Sequence, residues 1–236
     1  MTKFTILHLY PNEMNLYGDS GNVMCLYKRL NWRGYNCKVV EKGIGDKINT
    51  DFDMLFIGGG QDREMKLLQK DILRKADTLC YAVESEKVVL AICGGYQIFG
   101  SYYKTHDGEQ IDLLNGVDFY TVGSKKRMIG NFVFDTHFGK VVGFENHSGK
   151  TYLGENVSSL GNIITGYGNN GKDGLEGVLY KNFYGTYAHG PVLPKNPNFA
   201  DEIIKKITGV NELAPLDDSL EIHCQQHLIK RFCQKL

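Results

Sequence analysis

Residues 88–100 read VVLAICGGYQIFG, and this stretch decides the fold class. Its first five residues are all apolar, which is typical of a strand buried on both faces. Cys93 ends the run, and two glycines make the next turn nearly free of side chains. Another apolar run, at 54–57, ends on three glycines at 58–60. Short apolar strands of this kind predict a parallel sheet, in which functional residues gather at the carboxyl ends of the strands.

The first hundred residues alternate between such strands and amphipathic helices. Strands are predicted at 4–10, 37–40, 54–57 and 88–92. A first helix has Asp19 or Ser20 available as its N-cap and ends before Gly34. One long helix is predicted over 65–83, because apolar residues recur there at helical spacing. The pattern predicts an α/β fold with a parallel core and helices on both faces.

The second half of the chain is richer in glycine and aromatic residues. Its strand-like runs are joined by polar loops, which favours a more antiparallel arrangement. These runs cover 117–122, 132–134 and 178–187, and two helices follow at 199–207 and about 220–232. Neither an internal repeat nor a linker is visible, so we expect a single domain over residues 1–236.

Composition excludes several classes of protein. Lysine and arginine together number 27, as do aspartate and glutamate, which argues against a nucleic-acid binder that relies on a broad basic field. No stretch reaches the roughly 18 apolar residues of a membrane span, and the N terminus does not have the pattern of a signal peptide. Six widely spaced cysteines without a C-x-x-C pair indicate free thiols, and we expect a cytoplasmic protein.

Cys93 lies where a nucleophile elbow would place its reactive group. An elbow needs small residues two positions before and two after the nucleophile, and Ala91 and Gly95 meet that need. A thiol there would lie at a helix N-terminus, whose dipole favours the thiolate, and the Gly94 N–H could hold an oxyanion. The glycine run at 58–60 could supply a second donor at the same sheet edge. The alternatives are a buried structural cysteine and an ordinary turn.

A cysteine nucleophile needs an imidazole base, and His189 is the preferred candidate. It follows a strand-like run and precedes a glycine–proline turn, whereas His8 lies inside a predicted strand. His223 and His227 are four residues apart on a predicted helix, but only Cys224 accompanies them. Without an acidic ligand set, no metal site is predicted there.

Residues 143–151, GFENHSGKT, imitate a phosphate-binding loop. The required spacing is G-x-x-x-x-G-K-[ST], but five residues separate Gly143 from Gly149. We therefore expect no ATP site in this stretch.

Several separated motifs resemble one known family, the class I glutamine amidotransferases of the cobyric-acid-synthase type. The resemblance covers nearly the whole chain and is strongest for stand-alone glutaminase subunits of that family. The matching stretches are NLYGDSGN (15–22), GGGQDRE (58–64), ICGGYQ (92–97), GFENHSGKTY (143–152) and GTYAHGPVLPKN (185–196).

The resemblance implies a cysteine mechanism. The Cys93 thiolate would attack the side-chain amide of glutamine, release ammonia and leave a γ-glutamyl thioester that water hydrolyses. His189 would act as general base and acid. Gly59 and Gly94 match the positions of the oxyanion donors.

The resemblance also implies contacts with the substrate. Gln97 matches a substrate-contacting glutamine, and Arg127 matches an arginine that binds the α-carboxylate. Many class I members carry glutamate two residues after the histidine, where this chain has Pro191. Asp19 is a candidate for the missing third member of the catalytic triad.

The resemblance further implies a partner, since the chain has no nucleotide-binding motif. The expected partner is a Mur-ligase-like synthetase subunit of the MurT type, in a probable heterodimer. This partner, with ATP and magnesium, would amidate the D-glutamate of lipid II to D-isoglutamine. No cofactor is expected on this chain. Other hypotheses are a subunit of a corrin-type amidation, a non-catalytic regulatory subunit, and a cysteine hydrolase acting on peptides or γ-glutamyl conjugates.

Overall fold

The structure is a computed structural model that describes residues 3–234. The strands are β1 (Lys3–Leu9), β2 (Asn36–Lys42), β3 (Met54–Ile57), β4 (Val88–Ile92), β5 (Tyr102–Lys104), β6 (Gln110–Asp112), β7 (Phe119–Thr136), β8 (Gly139–Leu153), β9 (Gly161–Thr165), β10 (Leu175–Glu176), β11 (Val178–Tyr180) and β12 (Phe183–Thr186). The helices are α1 (Ser20–Trp32), α2 (Asp62–Arg74), α3 (Ala76–Glu84), α4 (Gly94–Gln97), α5 (Pro197–Thr208) and α6 (Ser219–Cys233).

The first sheet confirms the predicted parallel core. Its strand order is β11-β12-β4-β3-β1-β2, and every neighbouring pair is parallel except β11 with β12. All residues of β3 and β4 are buried, as expected for strands covered on both faces. The helix α1 connects β1 to β2, and α2 and α3 connect β3 to β4. The carboxyl ends of β1, β3, β4 and β12 therefore meet at one edge of the sheet.

The second sheet is mostly antiparallel, although β5 pairs with β7 in parallel. Its order is β10-β9-β7-β5-β6, and β8 pairs with β7 in a long hairpin. The register shifts between Gly123 and Met128, so the residues between them bulge out of the ladder. The sequence predicted only two short pieces of β7 and did not predict β8. The stretch 143–151 lies within β8 and is therefore a strand, not a loop that leads into a helix.

Two other predicted elements are divided. The helix predicted over 65–83 is two helices that meet at Lys75, whose ammonium turns inward to pair with the buried Asp71. Tyr10 also donates to Asp71, so this buried network fixes the break. The run at 178–187 is β11 and β12, and β12 joins the first sheet beside β4. This placement brings the segment after β12 close to the end of β4.

Within residues 3–234, no helix combines the length and the apolar composition that crossing a bilayer requires.

Candidate active site

Cys93 lies in a strained turn between β4 and α4. Its φ is 49° and its ψ is −109°, in a region that residues with a side chain rarely adopt. The turn packs backbone to backbone against the glycine run after β3. A Cβ on Gly94 would lie 2.6 Å from the carbonyl oxygen of Gly60, and one on Gly95 would lie 2.5 Å from that of Gly58. The two turns can approach this closely only because these residues have no side chain.

The helix that follows Cys93, α4, is short. It is a single turn, so the contribution of a helix macrodipole to the thiolate is small. Any stabilisation of the thiolate by this helix is therefore local. It comes from the first N–H groups of the turn, which have no hydrogen-bond partner inside the helix. Cys93 itself is buried.

His189 is brought to Cys93 by the pairing of β12 with β4. Thr186 pairs with Ile92 at the strand ends, and the N–H of Cys93 donates to the carbonyl of Thr186 at 2.8 Å. His189 lies just beyond the end of β12 and forms an isolated bridge with Phe144 of β8. The two predicted catalytic residues are thus held by adjacent strands of one sheet, and the second sheet supports the histidine.

Asp19 orients the imidazole of His189. The carboxylate is completely buried, and its Oδ2 lies 3.1 Å from Nδ1 of His189. Asp19 occupies the N-cap position of α1 but makes no side-chain capping bond. Its Oδ2 instead accepts the N–H of Gly59 at 2.8 Å. Asp19 was a candidate both for the helix cap and for the third member of the triad. Its contacts match the second role.

The charges around His189 favour its protonated form. Burial lowers the pKa of His189, but the negative charge of Cys93 and the hydrogen bond with Asp19 outweigh burial and raise this pKa well above its usual range. Within residues 3–234, Nε2 of His189 has no nitrogen or oxygen atom as a hydrogen-bond partner. It is therefore available to exchange a proton with a thiol or a leaving group.

The N–H of Gly59 does not fit the expected role of oxyanion donor in this structure. It carries a single hydrogen, which Asp19 already accepts. A Cβ on Gly94 would lie 3.1 Å from the nitrogen of Gly60, and Gly60 lines the cavity beside Cys93. Gly60 therefore replaces Gly59 as the candidate donor that accompanies Gly94.

A polar cavity of about 150 Å³ opens beside Cys93. Two expected substrate-binding residues line it, Gln97 and Arg127, together with Asn146 and His147 of β8. Nε2 of Gln97 donates to the hydroxyl of Tyr187 at 2.9 Å, so its Oε1 remains available as an acceptor for a ligand.

Arg127 lies in the bulge of β7 and is exposed. Its Nε donates to Oδ1 of Asn146 at 2.9 Å, and its Nη2 donates to the carbonyl of the same residue at 3.1 Å. A guanidinium has five N–H donors, so the edge formed by Nη1 and Nη2 keeps donors for a carboxylate. The guanidinium of Arg127, a group suited to binding a carboxylate, therefore lines the same cavity as Cys93.

Sequence reasoning missed Gly60, Asn146 and the turn at Tyr17. Their signal was present in the GGG, ENH and LYGD stretches, but which of several similar residues faces the cavity depends on strand register. His223 and His227 lie on the exposed part of α6. The described residues contain no cluster of three or more metal-ligating side chains.

Residues 5–197 match the model of the CobB/CobQ-like glutamine amidotransferase domain. The chain belongs to this family.

Similar proteins differ in how much of their own length this chain covers. A lipid II isoglutaminyl synthase (glutamine-hydrolyzing) subunit GatD from Staphylococcus aureus is 41% identical, over 98% of this chain and 97% of that protein. A protein of the same name from Streptococcus pneumoniae is 37% identical, over 86% of this chain and 79% of that protein. A cobyric acid synthase from Listeria monocytogenes is 31% identical over 71% of this chain, but only 35% of that protein is covered.

Solved structures agree on the fold of this amidotransferase domain. A crystal structure of a glutamine amidotransferase has a TM-score of 0.59 at 16% identity, over 86% of this chain and 99% of that chain. The structure of PurLQS from Thermotoga maritima has a TM-score of 0.52 at 16% identity, over 89% of this chain and 99% of that chain. At this identity, the similarity concerns the fold alone.

Proposed function

We propose that this chain is a glutaminase subunit that hydrolyses L-glutamine to glutamate and ammonia through a thioester on Cys93. The observation that carries the proposal is the strained Cys93 beside the buried His189–Asp19 pair, at a cavity that also holds Arg127.

The first half-reaction forms the thioester. His189 takes the proton of Cys93, and the sulfur attacks the carbonyl carbon (Cδ) of the side-chain amide of glutamine. The N–H groups of Gly94 and Gly60 stabilise the resulting oxyanion, a contribution of about 3–4 kcal/mol per donor in other enzymes. The C–N bond then breaks as His189 returns the proton to the leaving nitrogen, and ammonia departs.

The second half-reaction restores the thiol. A water molecule loses a proton to His189 and attacks the thioester carbon. The C–S bond breaks, glutamate is released, and Cys93 recovers its proton. Throughout, Arg127 binds the α-carboxylate and Oε1 of Gln97 accepts an N–H of the substrate.

We further propose that the ammonia serves a Mur-ligase-like synthetase subunit that amidates the D-glutamate of lipid II. The support is how much of each relative this chain covers. It covers most of the length of the GatD proteins but only 35% of a cobyric acid synthase. ATP and magnesium are expected on that partner, which would form a heterodimer with this chain.

The test is ammonia release from glutamine, with and without the Mur-ligase-like partner, for wild type, Cys93→Ala and Cys224→Ala. Cys224 is an exposed thiol of α6 and serves as the matched control. We expect Cys93→Ala alone to abolish release, and hydroxylamine to trap a γ-glutamyl group on the wild type. Full activity of Cys93→Ala would contradict the glutaminase proposal. Amidation of a corrinoid with a different synthetase, and not of lipid II, would contradict the partner.

A further inference from the structure

The turn before α1 contains an aromatic residue that contacts both halves of the site. Tyr17 has a φ of 59° and a ψ of 21°, in the left-handed region that an aromatic residue rarely adopts. The turn is tied to the glycine run, because the N–H of Leu16 donates to the carbonyl of Gly59 at 3.0 Å. The unusual backbone places the ring against the site, although Tyr17 does not line the cavity itself.

The ring of Tyr17 packs edge-on against the catalytic histidine. Its centroid lies 5.1 Å from that of His189 at an interplanar angle of 69°, and 5.4 Å from that of Phe144 at 77°. Asp19 holds the same imidazole by Nδ1. The turn therefore restrains His189 with a carboxylate and with a ring.

The hydroxyl of Tyr17 reaches the second sheet. It accepts a hydrogen bond from Nδ2 of Asn146, and both oxygens of Asn146 accept from Arg127. The Nε–H of Arg127 can only donate, so it requires Oδ1 of Asn146, and Nδ2 is then left to donate to the hydroxyl of Tyr17. With Nδ2 directed to the hydroxyl, Oδ1 is directed to Nε of Arg127, and the Nη1–Nη2 edge is left for a carboxylate.

We propose that Tyr17 is a positioning residue that, through Asn146, sets the orientation of the Arg127 guanidinium relative to Cys93. The inference rests on the proposed glutaminase function, because it assigns the α-carboxylate to Arg127. In this proposal, the contacts from Tyr17 through Asn146 to Arg127 set the distance between the α-carboxylate of the substrate and the thiol of Cys93. Such a distance selects glutamine over amino acids with a shorter or longer side chain.

The test compares Tyr17→Phe, which removes only the hydroxyl, with Tyr81→Phe as a control on the exposed outer part of α3. We expect Tyr17→Phe to raise KM for glutamine about tenfold with kcat within about twofold of wild type, since one hydrogen bond to a charged network is lost. Asn146→Ala should raise KM similarly, and the double variant should be no worse than Asn146→Ala alone.

A second readout separates positioning from general structural damage. Two reagents alkylate Cys93: iodoacetamide, which has no α-carboxylate, and a diazoketone analogue of glutamine, which has one. Tyr17→Phe should slow inactivation by the analogue about tenfold and leave the rate with iodoacetamide unchanged. Equal slowing of both reagents, or of neither, would overturn the inference.

These experiments also separate the inference from the proposed function. If glutamine does not protect the wild type from alkylation and is not hydrolysed, the glutaminase proposal fails first. If the wild type is protected and Tyr17→Phe behaves like Tyr81→Phe, only the role of Tyr17 fails.

Discussion

At the scale of single residues, Asp19 can be tested with its isosteric amide. Its Oδ2 accepts from both Gly59 and Nδ1 of His189. In Asp19→Asn, the amide oxygen can keep the Oδ2 position and accept from Gly59, but the negative charge that favours the imidazolium of His189 is lost. We expect kcat for glutamine hydrolysis to fall by about 10²–10³-fold with little change in KM.

The same substitution should change how the reactivity of Cys93 depends on pH. Asp19 contributes to the raised pKa of His189. Without this carboxylate, the imidazolium should lose its proton at a lower pH. The rate of alkylation by iodoacetamide, measured from neutral to alkaline pH, reports this change. Wild-type kcat and an unchanged pH profile in Asp19→Asn would exclude Asp19 from the triad.

At the scale of elements, the contact between the two glycine turns fixes the distance from β3 to the elbow. In Gly95→Ala, the new Cβ would meet the backbone oxygens of Gly58 at 2.5 Å and Ile57 at 2.8 Å, and backbone atoms cannot rotate away. We expect a loss of about 1–3 kcal/mol in the free energy of unfolding and a large loss of activity.

Gly130→Ala is the matched control for this prediction. Apart from Gly130 and its two chain neighbours, no heavy atom of residues 3–234 lies within 4 Å of a Cβ at that position. Chemical denaturation of both variants, with glutamine turnover in parallel, checks the prediction. A Gly95→Ala protein as stable and as active as Gly130→Ala would show that the turns are free to separate.

The sequence predicts the first four strands well because each of them has a strong local signal, whereas β11 and β12 were predicted as one run. Continuous apolar runs predicted β3 and β4, and glycine turns predicted where their functional groups lie. The hairpin of β7 and β8 was missed because its strands are long, polar on one face and interrupted by a bulge. Which N–H of the glycine run is free depends on where Asp19 points, and no local pattern records that long-range contact.

At the scale of the whole molecule, a charged network joins α1 to the last two helices. Arg29 is buried and donates to Asp201 of α5 and to Asp218, the N-cap residue of α6. Arg29→Met would leave carboxylates without their main partner. We expect it to cost roughly 3 kcal/mol of unfolding free energy, and Lys28→Met, on the exposed side of α1, to cost little.

Equilibrium denaturation measures this cost and also tests the predicted single domain. One domain over residues 1–236 should unfold in one transition, with Arg29→Met shifting its midpoint. A separate early transition for the C-terminal helices, present only in Arg29→Met, would limit the network to a local role.

The stability of the molecule should also fall as pH rises through neutrality. Glu176 is completely buried, and burial raises its pKa to about 8 despite hydrogen bonds from Thr186 and the N–H of Tyr187. Between the pKa of the unfolded chain, about 4.5, and about 8, the folded state binds the proton more tightly, so unfolding becomes easier as pH increases.

Glu176→Gln should remove this dependence. Relative to wild type, the variant should gain unfolding free energy from pH 5 to pH 8, by roughly 4 kcal/mol at most. Denaturation at several pH values checks it, with the exposed Glu155→Gln as the control. A difference between Glu176→Gln and wild type that stays constant with pH would mean that Glu176 does not titrate in this window.

The β7–β8 hairpin belongs to the second sheet, whereas Cys93 and His189 follow strands of the first. The thiol and imidazole proposed to break the amide bond and the Arg127 proposed to bind the α-carboxylate are therefore encoded by separate stretches of the chain. Because Phe144 of the hairpin also pairs with His189, a hairpin transplanted from another amidotransferase should change substrate recognition without loss of hydrolysis only if it keeps that pairing.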